Sequence, residues 1–291
     1  MPELPEVEVT RRRIAPLLVG RRIRSVRFTT DSYLFLTRPP LLRRALTGHA
    51  IVALARRGKY LLADLDEGDR LVIHLGMTGQ LFSSAATSVR LLSATARAAL
   101  SPEEQTRFHP DEHTHLRLAF EDAGPEVYLR DVRKFGKVLL LAPGQAHPRL
   151  ERLGIDALEA SGSHLFEATR KRTVAVKSAL LDQAVLAGVG NIYADEALFL
   201  AGVRPTRRAG RVTRREYEAI ASAVRGVLHR SIETGGSSIS DYIAPDGADG
   251  SYQSERRVYA RAGERCGACG AKIRRIVLGQ RGTHYCPRCQ T

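Results

Sequence analysis

The sequence predicts an α+β protein in which a strand-rich N-terminal part precedes a helical part and a small metal-binding hairpin. Three observations lead to this prediction. Short runs with strand character follow one another up to about residue 141, helical periodicity replaces them from about residue 142, and all four cysteines lie near the C-terminus. A length of 291 residues, at about 150 residues per domain, predicts two domains.

The N-terminal part opens with a predicted helix from Glu6 to Leu18, which Gly20 ends. Between Ser83 and His113 the chain is rich in Ala, Ser and Thr, and this composition predicts a long inserted loop. Strands are predicted at Ile23–Phe28, Ile51–Leu54, Tyr60–Leu65, Leu71–Leu75, Leu116–Phe120, Val127–Leu129 and Val138–Leu141.

The helical part contains two predicted helices, Ala175–Leu186 and Ile192–Leu200, joined by a tight glycine-containing turn at 188–191. A longer helix follows, and Thr213 with Glu216 forms the capping box that begins it. The glycine pair at 235–236 ends this helix.

The charge balance favours a polyanionic partner. Lys and Arg number 45 against 31 Asp and Glu, a net charge of +14. From Glu255 to Thr291 nine basic residues face two acidic ones, so half of the surplus lies in this short tail. An ordinary basic enzyme remains an alternative on charge alone. The lack of a membrane-length apolar run and the acidic start, MPELPEVEVT, predict an intracellular protein.

The cysteines form two CxxC pairs, Cys266 with Cys269 and Cys286 with Cys289. Such a spacing is typical of a tetrahedral zinc ribbon, in which each pair forms a knuckle and the intervening hairpin brings the knuckles together. Two disulfides are the alternative, which an intracellular location disfavours. With four ligands present, we expect one structural Zn²⁺ with no position open for catalysis.

Seven sequence blocks then become recognisable in order: MPELPEVE, RRGKYLL, HLGMTG, DVRKFG, GVGNIYADEALF, GGSSISDY and the CxxC tail. Together they resemble the formamidopyrimidine-DNA glycosylase family, whose members remove oxidised purines from DNA and nick the strand. The resemblance covers nearly the whole chain. It departs from the family in the longer Ser83–His113 segment and in Ala260, where the family's VYGR block has glycine.

The resemblance implies a fold of four segments. An N-terminal β-sandwich catalytic domain with its N-terminal helix spans 1–141, and a linker spans 142–157. A helical domain with a helix–two-turn–helix element spans 158–255, and a zinc-finger hairpin spans 256–291.

The resemblance also implies the catalytic residues. Pro2 becomes an N-terminal secondary amine once Met1 is removed, and an α-amine with a pKa near 8 is nucleophilic at neutral pH. Its attack on the sugar implies a Schiff base, with Glu3 as proton donor for ring opening and Lys59 as proton donor in β-elimination. Arg281 matches the donor for δ-elimination, although an arginine is better suited to clamping a phosphate. Residue by residue, a proline leading into a helix and acids at a helix start are also ordinary structural features.

DNA contacts are implied for a further set of residues. Glu6 supports the site, and Asn191, at the turn between two helices, fits a DNA phosphate or a plain helix cap equally well. Lys177 is a weaker candidate. The wedge that fills the vacancy of an extruded base is implied to be Met77, Arg133 and Phe135. The remaining implied contacts are His74, His113 and Arg172.

The sequence therefore predicts a bifunctional DNA glycosylase and AP lyase that acts on 8-oxoguanine opposite cytosine and on formamidopyrimidines, followed by β,δ-elimination. Its expected partner is double-stranded DNA, and we expect a monomer in the bacterial cytoplasm, associated with the nucleoid and not with a membrane. Two alternatives stay open at this point. An endonuclease VIII-type glycosylase would favour oxidised pyrimidines, and a non-catalytic damage sensor would bind DNA without chemistry.

Overall fold

Two units make up the chain in the computed structural model, which describes residues 2–29, 33–87, 108, 110–238 and 242–291. The first unit contains residues 1–147 and 235–251, and the second contains 148–234 and 252–291. Most of the predicted long loop, residues 88–107 and 109, lies outside the described residues. Helices among the described residues are all too short or too polar to span a lipid bilayer.

The first unit contains two four-stranded antiparallel sheets, with strand orders β1-β6-β7-β5 and β2-β3-β4-β8. Apolar side chains from both sheets and from helix α1 form one buried core, so the predicted β-sandwich is confirmed. The elements are α1 (Leu4–Ile14), β1 (Ile23–Phe28), α2 (Pro39–Leu46), β2 (Ile51–Arg57), β3 (Tyr60–Leu65), β4 (Arg70–His74), β5 (Gly79–Ser83), β6 (Thr114–Phe120), β7 (Val127–Asp131) and β8 (Lys137–Leu141).

Strand register places three connections at the same end of the sandwich. His74, the last residue of β4, pairs with Tyr60 at the start of β3 and with Lys137 at the start of β8. In the other sheet, Gly79 at the start of β5 pairs with Asp131 at the end of β7. The β2–β3, β4–β5 and β7–β8 connections therefore share one end, which we call the loop end of the sandwich.

Two of these connections touch through their backbones. Gly76, in the β4–β5 connection, has φ +63°, and a Cβ added there would lie 2.5 Å from the Gly136 nitrogen and 2.5 Å from the Phe135 carbonyl carbon. Real Cβ atoms do not approach so closely. Glycine at this position therefore permits the HLGMTG and DVRKFG segments to pack directly on each other.

Helix α1 begins at Leu4, two residues before the predicted start, because Glu3 caps it and Pro5 occupies its first turn. After Ile14 the chain tightens into a 3₁₀ turn, Ala15–Leu17. The helix then runs alongside β2 in the opposite direction, as successive contacts of Val19 with Ile51, Arg11 with Leu54 and Glu8 with Arg56 indicate. The start of α1 thus lies toward the loop end.

The second unit is mainly helical and ends in a two-stranded hairpin. Its elements are α3 (Pro148–Glu151), β9 (Ile155–Asp156), α4 (Gly162–Thr169), α5 (Val176–Leu181), β10 (Leu186–Ala187), α6 (Asn191–Leu200), α7 (Arg214–Glu233), β11 (Arg274–Leu278) and β12 (Arg281–Tyr285). The Thr213–Glu216 capping box of α7 is present, and Gly235 and Gly236 follow its end with positive φ. Both sequence predictions about α7 are confirmed.

The predicted helix Ala175–Leu186 is wrong in its second half, because α5 ends at Leu181. Side chains take over the backbone hydrogen bonds there: Gln183 donates to the Leu181 and Val189 carbonyls and accepts from Gly188 N. Residues 186–187 instead pair with β9 as a short parallel strand. Local side-chain to backbone bonding has replaced the helical ladder.

We expect Gly76→Ala to lower the free energy of unfolding by about 2–4 kcal/mol, because it adds a backbone clash to a left-handed conformation. Gly226→Ala, within α7 where an added Cβ meets nothing within 4 Å, is the matched control and should raise stability by about 0.5–1 kcal/mol. Urea unfolding of both variants measures this. Equal stability changes would contradict the proposed close packing.

Candidate active site and nucleic-acid interface

The N-terminal segment is buried although it carries three acids, Glu3, Glu6 and Glu8. Pro2 lies two residues before α1, and Glu3 and Glu6 are both 2% exposed. Glu3 N donates to Glu6 Oε2 at 2.9 Å as part of a capping box, and Ser237 N donates to Glu6 Oε1 at 2.9 Å. Glu6 therefore connects Glu3, the residue beside Pro2, to Ser237.

Lys59 occupies the two-residue β2–β3 turn together with Gly58, which has φ 56°. The lysine is 8% exposed, an unusual burial for an amine. Because α1 runs opposite to β2, this turn and the start of α1 lie toward the same end of the unit. The structure thus brings Lys59 to the end that carries Pro2 and Glu3.

Glu8, six residues after Pro2 in the chain, is a functional candidate that the sequence prediction missed. Burial raises the pKa of Glu8, but hydrogen bonds from Arg11 and Arg12 and the charge of Arg56 outweigh burial, and the pKa falls from 4.5 to about 2. Glu8 is therefore ionised at any pH at which the protein works.

The wedge and histidine candidates also lie at the loop end. Arg133 and Phe135 are exposed in the β7–β8 loop, where the Arg133 guanidinium lies 4.7 Å from the centre of the Phe135 ring. Met77 is half-buried in the β4–β5 turn. His74 Nδ1 accepts a hydrogen bond from Gly76 N at 3.1 Å, which favours the tautomer with its proton on Nε2. His113 is half-buried directly before β6.

A buried acid, Asp131, gives the β7–β8 loop its shape. Its carboxylate accepts from Gly136 N at 2.7 Å and from Thr78 Oγ1 at 2.5 Å. Thr78 follows Met77, so the same carboxylate joins the two loops that carry the wedge candidates. Lys134, between Arg133 and Phe135, has φ 56° and reverses the chain there. The wedge residues thus project from a loop that is fixed at its base.

In the second unit, Asn191 contacts the hairpin strand that carries Arg281. Asn191 is the first residue of α6 and not its cap, which is Gly190, so the predicted capping role is wrong. Its Nδ2 instead donates to the Gly282 carbonyl at 2.9 Å, one residue after the exposed Arg281. The helix start therefore holds the strand that carries Arg281.

Lys177 is 0% exposed, so it does not belong to the surface contacts for which it was a weaker candidate. Its Nζ lies 2.7 Å from Asp195 Oδ1 and donates to the Gly282 carbonyl at 3.0 Å. Asp195 Oδ2 also accepts from His284 N at 2.8 Å. This buried ion pair fixes β12 against α5 and α6.

Arg172 is partly exposed and already paired. Its Nη1 lies 2.6 Å from Asp182 Oδ2, and its Nε donates to the Ala168 carbonyl. The Arg172 guanidinium thus links the Ala168 carbonyl in α4 to the carboxylate of Asp182, the residue directly after α5. Its contact with DNA stays a prediction.

The four cysteine sulfurs lie within 4.8 Å of one another. Cys269 Sγ is 3.4 Å from Cys286 Sγ, and Cys266 Sγ is 3.9 Å from Cys289 Sγ. A tetrahedral zinc with sulfur ligands requires sulfur separations of about 3.8 Å. The sulfurs belong to free thiols, not to disulfides. The residues fit a structural zinc ion with no ligand position left for water.

Glu196 fixes the chain where it enters this zinc hairpin. Its buried carboxylate accepts from the backbone nitrogens of Arg257, Val258 and Tyr259 at 2.7–2.9 Å. Ala260 then adopts φ 58°, the left-handed conformation that a glycine takes without strain. An alanine at this position therefore carries a conformational cost that a glycine would not.

The fold and the cysteine cluster define the class of protein. Residues 1–138 match the family model for the formamidopyrimidine-DNA glycosylase N-terminal domain, 153–243 match that for its H2TH domain, and 263–291 match a zinc finger found in FPG and IleRS. The chain belongs to the formamidopyrimidine-DNA glycosylase family, and the resemblance, the fold class and the zinc site predicted from the sequence are confirmed.

Relatives match over the whole chain. The formamidopyrimidine-DNA glycosylase of Burkholderia thailandensis is 44% identical, and all of both chains is covered. The MutM (Fpg) protein of Thermus thermophilus has a crystal structure similar to this one, with TM-score 0.82, 38% identity and coverage of 99% of this chain and 98% of that chain. A Lactococcus lactis Fpg mutant in complex with Fapy-dG-containing DNA has TM-score 0.85, 35% identity and complete coverage of both chains.

Replacing Glu8 by Gln should destabilise the protein near neutral pH and much less in acid. A depressed carboxyl pKa stabilises the fold fully above its unfolded value of 4.5, and this stabilisation is lost as the pH falls toward about 2. Urea unfolding of both proteins between pH 7 and the acid limit of folding should show a converging difference. A difference that is independent of pH would contradict the role of the ionised carboxylate.

Removing one cysteine should remove the metal. We expect Cys269→Ala to lower zinc content from one ion per chain to nearly none and to lower the thermal unfolding midpoint, because metal binding and folding of the hairpin are coupled. Arg288→Ala, an exposed residue in the second knuckle, is the matched control and should keep its zinc. Elemental analysis measures both; full zinc content in Cys269→Ala would contradict the four-cysteine site.

Proposed function

We propose that this protein excises oxidised purines, 8-oxoguanine opposite cytosine and formamidopyrimidines, from double-stranded DNA and then nicks the strand. One observation carries the proposal: a proline that can present a free amine precedes a buried helix start, at the end of the sandwich that also holds a buried lysine and the wedge candidates. The family membership supports the same activity.

The first step uses Pro2. After removal of Met1, its secondary amine attacks C1′ of the damaged nucleotide, the N–C1′ bond forms, and the glycosidic bond breaks as the base leaves with its electron pair. The attached nitrogen then loses its N–H proton, the C1′–O4′ bond breaks as O4′ takes up a proton, and an iminium forms between the Pro2 nitrogen and C1′. Because a secondary amine has no second proton to lose, this adduct stays cationic and draws electrons from C2′.

Proton transfers fall to the neighbouring side chains. The Glu3 carboxyl, next to Pro2 in the chain, delivers the proton that the ring oxygen needs on opening. Glu6 keeps Glu3 in place by accepting its backbone N–H. In β-elimination, C2′ loses a proton to solvent, the C3′–O bond breaks, and Lys59 supplies a proton to the departing 3′ phosphate. Loss of a proton from C4′ then expels the 5′ phosphate in δ-elimination.

Each of the segments expected from the sequence has its own role in DNA binding. Residues 1–141 perform the chemistry, with His74 and His113 on phosphates and Met77, Arg133 and Phe135 in the vacancy left by the base. Residues 158–255 and 256–291, after the 142–157 linker, hold the backbone through Arg172, Asn191 and Arg281. A guanidinium binds phosphate well through its fork of donors but is a poor acid, so Arg281 clamps and stabilises charge.

The cellular location of the protein is inferred from its net charge and from its relatives. A net charge of +14 favours continuous association with nucleic acid. The matched relatives come from bacteria, and we propose that the protein acts as a monomer in the bacterial cytoplasm, at the nucleoid.

Borohydride trapping on a duplex that contains 8-oxoguanine tests the proposed function. A covalent protein–DNA adduct is expected, because borohydride reduces the iminium to a stable amine. Binding without an adduct would indicate a damage sensor. A stronger adduct with an oxidised pyrimidine would favour the endonuclease VIII-type alternative.

A residue retained before Pro2, whether Met1 or an uncleaved tag, should abolish base excision and leave DNA binding within about twofold of the unblocked protein. Acylation of the proline nitrogen removes the nucleophile but leaves the basic surface unchanged. Mass spectrometry of the N-terminus, together with excision and binding assays, checks the prediction. Normal turnover by a protein with a blocked N-terminus would refute the Pro2 mechanism.

Arg133 should read the base that remains opposite the lesion. Cytosine presents two adjacent acceptors, O2 and N3, to which a guanidinium can donate, whereas adenine presents one acceptor and one donor. Excision should therefore be slower opposite adenine than opposite cytosine, by the equivalent of about 1–3 kcal/mol. Arg133 is exposed and fixed at its loop base, as this role requires.

Arg133→Ala should lower overall activity and should reduce the ratio of the excision rate opposite cytosine to the excision rate opposite adenine. Single-turnover excision rates of both proteins on the two duplexes measure it. An unchanged ratio in the variant would remove Arg133 from base reading.

A further inference from the structure

Glu8 on α1 accepts hydrogen bonds from three arginines that belong to two different elements. Its Oε1 accepts from Arg12 Nε at 2.7 Å and from Arg11 Nη2 at 2.8 Å, and its Oε2 accepts from Arg11 Nε at 3.0 Å and Arg56 Nε at 3.1 Å. Arg11 and Arg12 share the helix with Glu8, whereas Arg56 lies near the end of β2. The side chains of Glu8 and Arg56 are 7% and 8% exposed, and that of Arg12 is 57% exposed.

The strand arginine is the unusual member of this cluster. Arginines at positions i+3 and i+4 already satisfy a helical carboxylate, and such pairs are common on helix surfaces. Burying Arg56 as well carries a desolvation cost that stabilising the helix does not require. The buried pair therefore fixes the end of β2 against α1, and Arg11 Nη1 adds a second link by donating to the Leu54 carbonyl at 3.3 Å.

Arg56 also reaches the turn that follows its strand. Its Nη1 donates to the Gly58 carbonyl at 2.9 Å. That carbonyl and the nitrogen of Lys59 belong to one planar peptide unit, so a hydrogen bond to the oxygen also orients the Lys59 Cα. One guanidinium thus connects the carboxylate of Glu8 to the peptide that carries Lys59.

We propose that Glu8 and Arg56 are positioning residues that hold the Lys59 amine in register with the amine of Pro2. The inference rests on the proposed function, in which Pro2 and Lys59 act on one sugar. Glu8 and Pro2 belong to the same short N-terminal segment. The hydrogen bonds from Glu8 through Arg56 to the Gly58–Lys59 peptide therefore fix the position of Lys59, the proton donor. They fix it relative to α1, the helix that Pro2 precedes. Misplacement of a reacting group by about 1 Å can cost as much as a hundredfold in rate.

If the cluster of Glu8 and its arginines only stabilised the fold, a different result would be expected. Its loss would lower stability and would reduce activity by the same factor whether or not Lys59 were present. If Arg56 acts through Lys59, its removal has no further effect once the Lys59 amine is absent.

The experiment compares Arg56→Gln, Lys59→Ala and the double variant with Arg12→Gln as the matched control. Arg12→Gln removes a partner of the same carboxylate that does not touch the turn. Single-turnover excision and nicking are measured on an 8-oxoguanine duplex, alongside the urea unfolding midpoint. We expect Arg56→Gln to slow the nicking step about tenfold or more and Arg12→Gln to slow it less than twofold. The double variant should nick at the rate of Lys59→Ala within twofold.

Losses that multiply in the double variant, or equal slowing by Arg12→Gln, would overturn the inference. If Arg56→Gln does not fold, Arg56→Lys replaces it in the same assays. A lysine keeps the positive charge beside Glu8 but lacks the forked guanidinium that donates to both Glu8 and Gly58. The Arg56→Lys variant should fold and remain slowed about tenfold, and a wild-type rate in this variant would also overturn the inference.

Borohydride trapping of the wild-type protein distinguishes failure of the proposed function from failure of the positioning role of Arg56. Absence of a wild-type adduct would overturn the proposed function and this inference together. A normal wild-type adduct combined with an unimpaired Arg56→Gln variant would reject the positioning role alone and leave the proposed function standing.

Discussion

A buried carboxylate that accepts backbone N–H groups is the interaction on which the functional segments of this protein depend. Glu6 accepts from Glu3 and Ser237, Asp131 accepts from Gly136, and Glu196 accepts from three successive residues at the entry to the zinc hairpin. Hydrogen bonds to an ionised acceptor contribute about 1.5–3 kcal/mol each, roughly twice a neutral bond. They can therefore hold loop backbone in one conformation where no helix or sheet ladder is available.

The burial of acids also explains where the positive charge resides. In a chain with a surplus of 14 positive charges, several carboxylates are withdrawn from the surface to serve as backbone acceptors or as partners of buried cations. Lys177 and Arg56 are such cations, whereas Arg133 and Arg281 remain exposed. Cations that face solvent without acidic neighbours are the ones that a DNA phosphate or base can reach.

Each unit thus contains a rigid support and a small set of exposed groups that it presents. In the first unit, the glycine contact at Gly76 and the carboxylate of Asp131 join two loops at one end of the sandwich. In the second, the pair of Lys177 and Asp195 holds the strand that begins with Arg281. A preorganised site loses little conformational entropy when it binds its ligand. Buried ion pairs provide this preorganisation, although their burial carries a large desolvation cost.

The sequence by itself determined the family, the order of segments, most strands and the zinc ligands, because periodicity, CxxC spacing and contiguous motifs are local properties of the chain. Tertiary structure alone decided that Lys177 is a buried ion-pair partner, that Asn191 bonds Gly282, and that helix α5 stops at Leu181. It also decided that Glu8 reaches Arg56, 48 residues away. These outcomes depend on which side chains meet across elements and how deeply they are buried, and no local pattern contains that information.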